Sequence, residues 1–137
     1  MFNEYSIDCT RVVIINLKRE DVGKYLQAAD LGLLIRKNSF VNDIASPIKF
    51  AEYISCGVPV FTANNQSDST RFVKNYGIGF IANINYQKED YRQIIDVIQK
   101  ERADFNTKCI KLSNEYFDYD IYKPIYMNLY DEKNCFT

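Results

Sequence analysis

A chain of 137 residues, 47% hydrophobic and 26% charged, is sized for one globular domain and excludes disorder, a collagen-like repeat and a disulfide-dense mini-protein. Lys and Arg number 17 against 18 Asp and Glu, so the net charge of -1 gives no broad basic field for non-specific nucleic-acid binding. The complete lack of histidine excludes Ser-His-Asp and Cys-His catalysis, His-ligated zinc and imidazole acid–base chemistry within the chain.

Along the chain, short apolar runs alternate with helical patterns. Val12-Val13-Ile14-Ile15 is the first run, Leu31-Gly32-Leu33-Leu34-Ile35 the second, Gly57-Val58-Pro59-Val60-Phe61 the third and Gly79-Phe80-Ile81-Ala82 the fourth. Runs that are apolar on both faces suit buried strands of a parallel sheet. Between the first two, residues 21–29 place Val22, Tyr25, Leu26 and Ala29 on one helix face. A second helix is predicted over 46–56, with Ser46 as N-cap, Pro47 at the first helical position and Ile48, Ala51 and Ile54 as its apolar stripe. Gly57 is placed to end that helix in a left-handed conformation. A third helix is predicted over 69–76, closing at Gly77. This order predicts an α/β fold: a Rossmann-like, doubly wound parallel sheet with right-handed crossovers. After about residue 87 the pattern becomes helical, with Ile94, Ile95, Val97 and Ile98 on the first helix. Two or three C-terminal helices are predicted, with a break near Pro124.

The cysteines, Cys9, Cys56, Cys109 and Cys135, stand far apart with no C-x-x-C pair, which argues for reduced thiols and against a metal cluster. No apolar run reaches the roughly 18 residues that span a membrane. The start, Met1-Phe2-Asn3-Glu4-Tyr5-Ser6, has no basic segment leading into an apolar one. A cytoplasmic protein is the expectation.

The stretch that carries chemistry is Ala45-Ser46-Pro47-Ile48-Lys49-Phe50-Ala51-Glu52-Tyr53-Ile54-Ser55-Cys56-Gly57-Val58-Pro59-Val60. It places a helix start just past the carboxyl end of a strand, where open α/β sheets bind ligands. Free amides and the positive helix end favour an anion there, above all phosphate. Lys49, in the first turn, has the wrong sign for the helix dipole, which suggests an anion between them. Glu52 follows one turn later on the same face. A cation for phosphate and a carboxylate for a diol suit the diphosphate and ribose of a nucleotide. The plainer alternative is a surface Lys49–Glu52 ion pair. Arg36 and Lys37, at the end of the second run, are on the same presumed ligand side.

This stretch resembles the donor-binding segment of GT-B glycosyltransferases, in particular the retaining family 4 group, in which an SP-x-K-x-x-EY-x-x-x-G-x-PV pattern is common. Tyr25-Leu26-Gln27-Ala28-Ala29-Asp30-Leu31 resembles that family's step into the following strand, and Phe117 through Ile125-Tyr126 to Leu129-Tyr130 resembles its closing helix. The likeness covers roughly residues 11–130. It implies a partial GT-B C-terminal domain, spanning residues 1–137 as one unit, that binds a UDP- or GDP-sugar. It further implies hexose transfer, with retention and without an obligate metal or other cofactor, to a glycan or lipid-linked acceptor. Glu52 matches the second Glu of the family's E-x7-E motif, which holds the ribose. The first Glu position is Ile44, with Asp43 one residue out of register and Asn42 and Ser46 as polar alternatives. The implied nucleotide-sugar site is therefore Glu52, Lys49, Ser46, Asn42 and Arg36, with the catalytic residues unassigned. The family's acceptor domain, and the opening βαβ unit with its Lys/Arg pair, have no counterpart here. The chain is accordingly expected to be a fragment or remnant, inactive in isolation and, in a full-length enzyme, peripheral to the inner membrane face. The missing opening strands predict an exposed sheet edge that buries against another copy. A catalytically silent Rossmann-like module for a nucleotide or a partner protein is the rival reading, and a hydrolase or epimerase on the same scaffold a third.

Three further motifs are set aside. Asp118-Tyr119-Asp120 spells a D-x-D but falls in a helical tail and not in a loop after a strand. Gly77-Ile78-Gly79 leads into a strand and lacks a third glycine, unlike a dinucleotide fingerprint. The 11 Tyr and 9 Phe, without a basic stripe, read as packing and not as nucleic-acid stacking.

Overall fold

Three of the four apolar runs become strands. In the computed structural model, which describes residues 8–36, 39–44, 48–83 and 85–130, helix and strand alternate from residue 19 onward. The elements are α1 (Arg19–Gln27), β1 (Gly32–Leu34), α2 (Phe40–Ile44), α3 (Ile48–Ser55), β2 (Val60–Thr62), α4 (Asp68–Tyr76), β3 (Gly79–Ile81), α5 (Lys88–Tyr116) and α6 (Tyr119–Tyr130). The strands are parallel and lie in chain order, β1-β2-β3, with Leu33 opposite Phe61 and Phe61 opposite Phe80. The architecture is α/β, a small parallel sheet with helices. Among the described strands the winding runs one way only.

The first run departs from expectation. Residues 12–15 belong to no helix or strand, and Val13 and Ile14 are 82% and 81% exposed. β-Branched composition favours a strand only where a neighbouring edge and a core face receive it, and here neither does. α1 begins two residues earlier than predicted and buries none of its residues.

Strand alternation divides the core in two. Val60 points to one face, where Leu34, Phe50, Ile54, Val73, Ile78, Cys109 and Leu112 form the larger cluster. Phe61 points to the other, against Ile94 and Ile98 of α5. α3 and α4 therefore cover one face and the first half of α5 the other. On α3 the buried stripe is Phe50 and Ile54, whereas Ile48 is 77% exposed, so the predicted Ile48–Ala51–Ile54 stripe is rotated. Burying Phe50 and Ile54 stabilises by roughly 1.5–3 kcal/mol each.

Helix ends follow the sequence signals. Gly57, at φ 73, closes α3: its N–H donates to Ile54 O at 3.0 Å and Val58 N–H donates to Tyr53 O at 3.0 Å, the paired bonds of a Schellman end. Ser67 caps α4 by accepting from Thr70 N–H, and Gly77, at φ 61, ends it. The predicted Ser46 cap and Pro47 lie outside the described residues. α5 runs for 29 residues with non-helical dihedrals at Glu101. The C-terminal break falls at Phe117 and Asp118, not at Pro124, which lies inside α6. Asp118 accepts from Asp120 N–H at 3.0 Å and so starts α6. Because α6 buries no residue, water can meet the carbonyl that Pro124 leaves unpaired.

The kink lets α5 pass beneath the amino ends of the strands. Arg102 pairs with Asp30 and donates to Ala29 O at 3.3 Å, ahead of β1. Asn106 Nδ2 donates to Gly57 O at 3.4 Å, ahead of β2, and Cys109 Sγ donates to Ile78 O at 3.9 Å, ahead of β3. The carboxyl ends carry no such cover.

Two predictions test this packing. A Cβ at Gly57 collides with the Asn106 side chain, whereas one at Gly77 meets nothing, although both residues have positive φ. Gly77→Ala should lower stability by about 1 kcal/mol and Gly57→Ala by clearly more, with part of the difference recovered in Gly57→Ala/Asn106→Ala. Equal losses in urea melts would contradict the contact. The second concerns Cys109, fully buried, whose thiol burial pushes up to about 12. Its folded value lies above that of an ordinary thiol near 9.0, so stability is intact below that pH and declines as pH rises toward 12. Peptide mapping after iodoacetamide at pH 8 should find the half-buried Cys56 alkylated in the native protein and Cys109 alkylated only on unfolding.

Candidate functional site

The sequence-predicted residues are distributed around the carboxyl end of β1. Arg36, half-buried, follows β1 by two residues. Asn42, also half-buried, is on α2, whose backbone at that residue donates to Ser39 Oγ at 3.3 Å. Lys49 and Glu52 are exposed on α3, on the side away from the buried Phe50 and Ile54. No ion pair joins Lys49 to Glu52 among the described residues, so both charged groups face solvent. Ser46 lies outside the described residues, as does Lys37.

Asp43, one residue out of register with the family's first Glu position, has a structural task. Its Oδ1 accepts from Gln66 N–H at 3.3 Å, which ties α2 to the loop after β2. Ile44, at the in-register position, is 64% exposed.

That loop borders a cleft of about 410 Å³ at the carboxyl ends of β2 and β3. Asn64, Asn65, Gln66, Arg71, Lys74 and Asn83 provide its polar wall, and Ile81 and Tyr86 its apolar one. Arg36, Asn42, Lys49 and Glu52 are not part of its described lining. A buried hydroxyl network fixes the loop. Asn65 Oδ1 accepts from Ser67 N–H at 3.2 Å and from Ser67 Oγ at 2.6 Å, and stands 2.7 Å from Thr70 Oγ1. Thr70 Oγ1 also lies 2.9 Å from Ala63 O, the residue that leaves β2. With Asn65 held this way, the loop presents its outer amides, Asn64 and Gln66, in a fixed conformation. Arg71 is paired with Asp68, and Lys74 makes no ion pair among the described residues.

Chemically, the cleft offers amide donors and acceptors with two cations and no carboxylate in its described lining. It suits a polar ligand rich in hydroxyls or bearing negative charge. Sequence reasoning missed it, although Ala63-Asn64-Asn65-Gln66-Ser67 directly follows a strand and precedes a helix with a serine cap. No helix among the described residues is long and apolar enough to cross a membrane. Compared with protein-family models, curated proteins and solved structures, the chain matches none.

The Thr70 hydroxyl is the hub of the loop, so Thr70→Val, which keeps the shape and removes the hydroxyl, takes away the one proton that Ala63 O and Asn65 Oδ1 share and the oxygen beside Ser67 Oγ. Urea melts should show a loss of roughly 1–3 kcal/mol, and backbone amide shifts should move at residues 63–67. Unchanged stability and unchanged shifts in that loop would show that the hydroxyl does not organise it.

Proposed function

We propose that this chain is the nucleotide-sugar-binding part of a GT-B glycosyltransferase resembling the retaining family 4 enzymes, acting on a UDP- or GDP-sugar and a glycan or lipid-linked acceptor. The observation that carries the reading is α3. It begins on the carboxyl side of β1, is fixed by Phe50 and Ile54, and leaves Lys49 and Glu52 exposed on successive turns. Under this reading the three strands belong to a Rossmann-like doubly wound sheet. The diphosphate sits at the amino end of α3, with Lys49 beside it. Glu52 accepts from the ribose hydroxyls, and Arg36 and Asn42 approach from β1 and α2. Charge is balanced by Lys49, Arg36 and backbone amides, so the proposed site requires no metal. The polar cleft beyond Asp43 lies on the side where a donor sugar would project. Acceptor recognition falls to a second domain, and transfer depends on the two substrates being held in near-attack geometry, a contribution of roughly 7–11 kcal/mol.

A catalytically silent nucleotide-binding module is the second reading. It is favoured by Ile44, which stands where the family has its first Glu, and by the neighbouring Asp43, whose Oδ1 already accepts from Gln66 N–H.

NMR titration tests both. UDP or GDP should bind the isolated chain with a dissociation constant of about 0.1–1 mM, roughly 4–5 kcal/mol, with shifts at residues 42–53 and negligible sugar transfer. Glu52→Ala should remove roughly 1.5–3 kcal/mol and make binding undetectable while the fold persists. Shifts that bypass residues 42–53, or that survive Glu52→Ala, would return Lys49 and Glu52 to ordinary surface charge. Transfer activity restored by an acceptor domain supplied in trans would favour the enzyme over the silent module.

A further inference from the structure

The sheet has two edges, and they differ. Neither outer edge is paired with a strand among the described residues, but at β3 the half-buried Phe80 packs against Phe105 of α5, with ring centroids 5.6 Å apart. At β1 no strand pairs with the outer edge among the described residues. The side chains beside that edge are bare: Leu33 is 64% exposed and Ile35 57%. They form one wall of an open apolar groove of about 430 Å³, whose opposite wall is Tyr91, Ile94 and Ile95 of α5. Residues 31–35 contain no charge and no proline, the devices that ordinarily protect an edge from pairing. A free edge of this kind selects an extended chain: backbone groups supply hydrogen bonds, and alternate side chains enter the apolar groove.

The chain contains such a segment. Val12, Val13, Ile14 and Ile15 are four consecutive β-branched residues, uncharged, 36%, 82%, 81% and 50% exposed, and outside any helix or strand. Four residues of strand span about 13 Å, enough to run along β1 and Ile35. Among the described residues β1 pairs with β2 alone, so the segment is not paired with its own β1 edge. A segment and an edge that complement each other, with the segment displaced from its own edge, are the two halves of a reciprocal contact. We infer that residues 12–15 of a second copy add as a strand to the free edge of β1, and the reverse, so that the chain forms a twofold strand-exchanged dimer. Each exchange pairs the free edge of β1 and covers the β-branched side chains that face the groove, and the reciprocity closes the assembly at two copies. The inference does not depend on the glycosyltransferase reading.

Sedimentation and light scattering of the full chain over a concentration series test it. The expected result is a reversible dimer in which amides of residues 13–15 and 33–35 gain hydrogen-exchange protection as concentration rises. Ile14→Pro, which removes an N–H from the added strand, and Leu33→Lys, which charges the receiving edge, should each raise the dimer dissociation constant at least about tenfold. Both positions are exposed, and unchanged circular dichroism of the variants will confirm that the fold is kept. Ile125→Lys on the exposed α6 serves as the control and should leave the dimer intact. A monomer at every concentration would overturn the inference. So would protection of residues 13–15 that is independent of concentration, or a dimer lost with Ile125→Lys and retained with Ile14→Pro.

Discussion

The passage of α5 beneath the sheet is the constraint on which the rest of the molecule depends. Arg102, Asn106 and Cys109 are spaced i, i+4 and i+7, one face of a helix, and each meets the segment that enters a different strand. Their polar contacts are modest. The Arg102–Asp30 pair is solvent-exposed, in a class worth about 0–1 kcal/mol, and the Asn106 and Cys109 bonds are long. The driving force is burial of Ile94, Ile98, Phe105, Cys109 and Leu112, all under 9% exposed. The polar contacts fix how far along α5 each strand entry sits, and the apolar side chains hold it there. A three-stranded sheet of three-residue strands has little stability of its own, so a helix that touches both faces substitutes for the strands a larger sheet would use.

That arrangement decides where a ligand can bind. With α5 occupying the amino ends, the carboxyl ends are left to short loops, and those loops are stiffened from within. Asn65, Ser67 and Thr70 exchange hydrogen bonds at the start of α4, and Asp43 ties α2 to the same loop. Rigid support of this kind holds the polar cleft open and presents its amides at fixed positions. Lys49 and Glu52 sit on a helix with equally firm anchorage, although their own side chains meet only solvent. The two groups of residues share one end of the sheet because parallel strands joined by helices point their carboxyl ends the same way.

The same economy leaves surfaces uncovered. One face of the sheet is closed by α3 and α4, but the groove beside β1 and the whole of α6 stay exposed. α6 puts Ile121, Tyr122, Ile125, Tyr126 and Leu129 on one side, each more than 40% exposed. Apolar surface of this extent is uncommon on the outside of a monomeric domain.

Much of this was legible in the residues themselves. Gly57 and Gly77 announced helix ends because only a residue without a Cβ takes positive φ at no steric cost. The parallel character of the sheet followed from runs apolar on both faces, and helical spacing put Lys49 and Glu52 on one side of α3. What failed were statements whose truth depends on distant neighbours. Residues 12–15 have the composition of a strand but pair with none in this fold. Ile48 fits the apolar stripe of α3, yet the sheet lies under Phe50 and Ile54, and Pro124 sits in an exposed helix that tolerates it. The polar cleft was invisible because Asn64, Lys74 and Asn83 converge only when β2 and β3 lie side by side. Local backbone preference is written residue by residue, so the sequence by itself determined the ends of α3 and α4 at Gly57 and Gly77 and the parallel class of the strands. Which face is buried, which edge is free and which side chains meet depend on packing between segments far apart in the chain, and only the tertiary structure decided those.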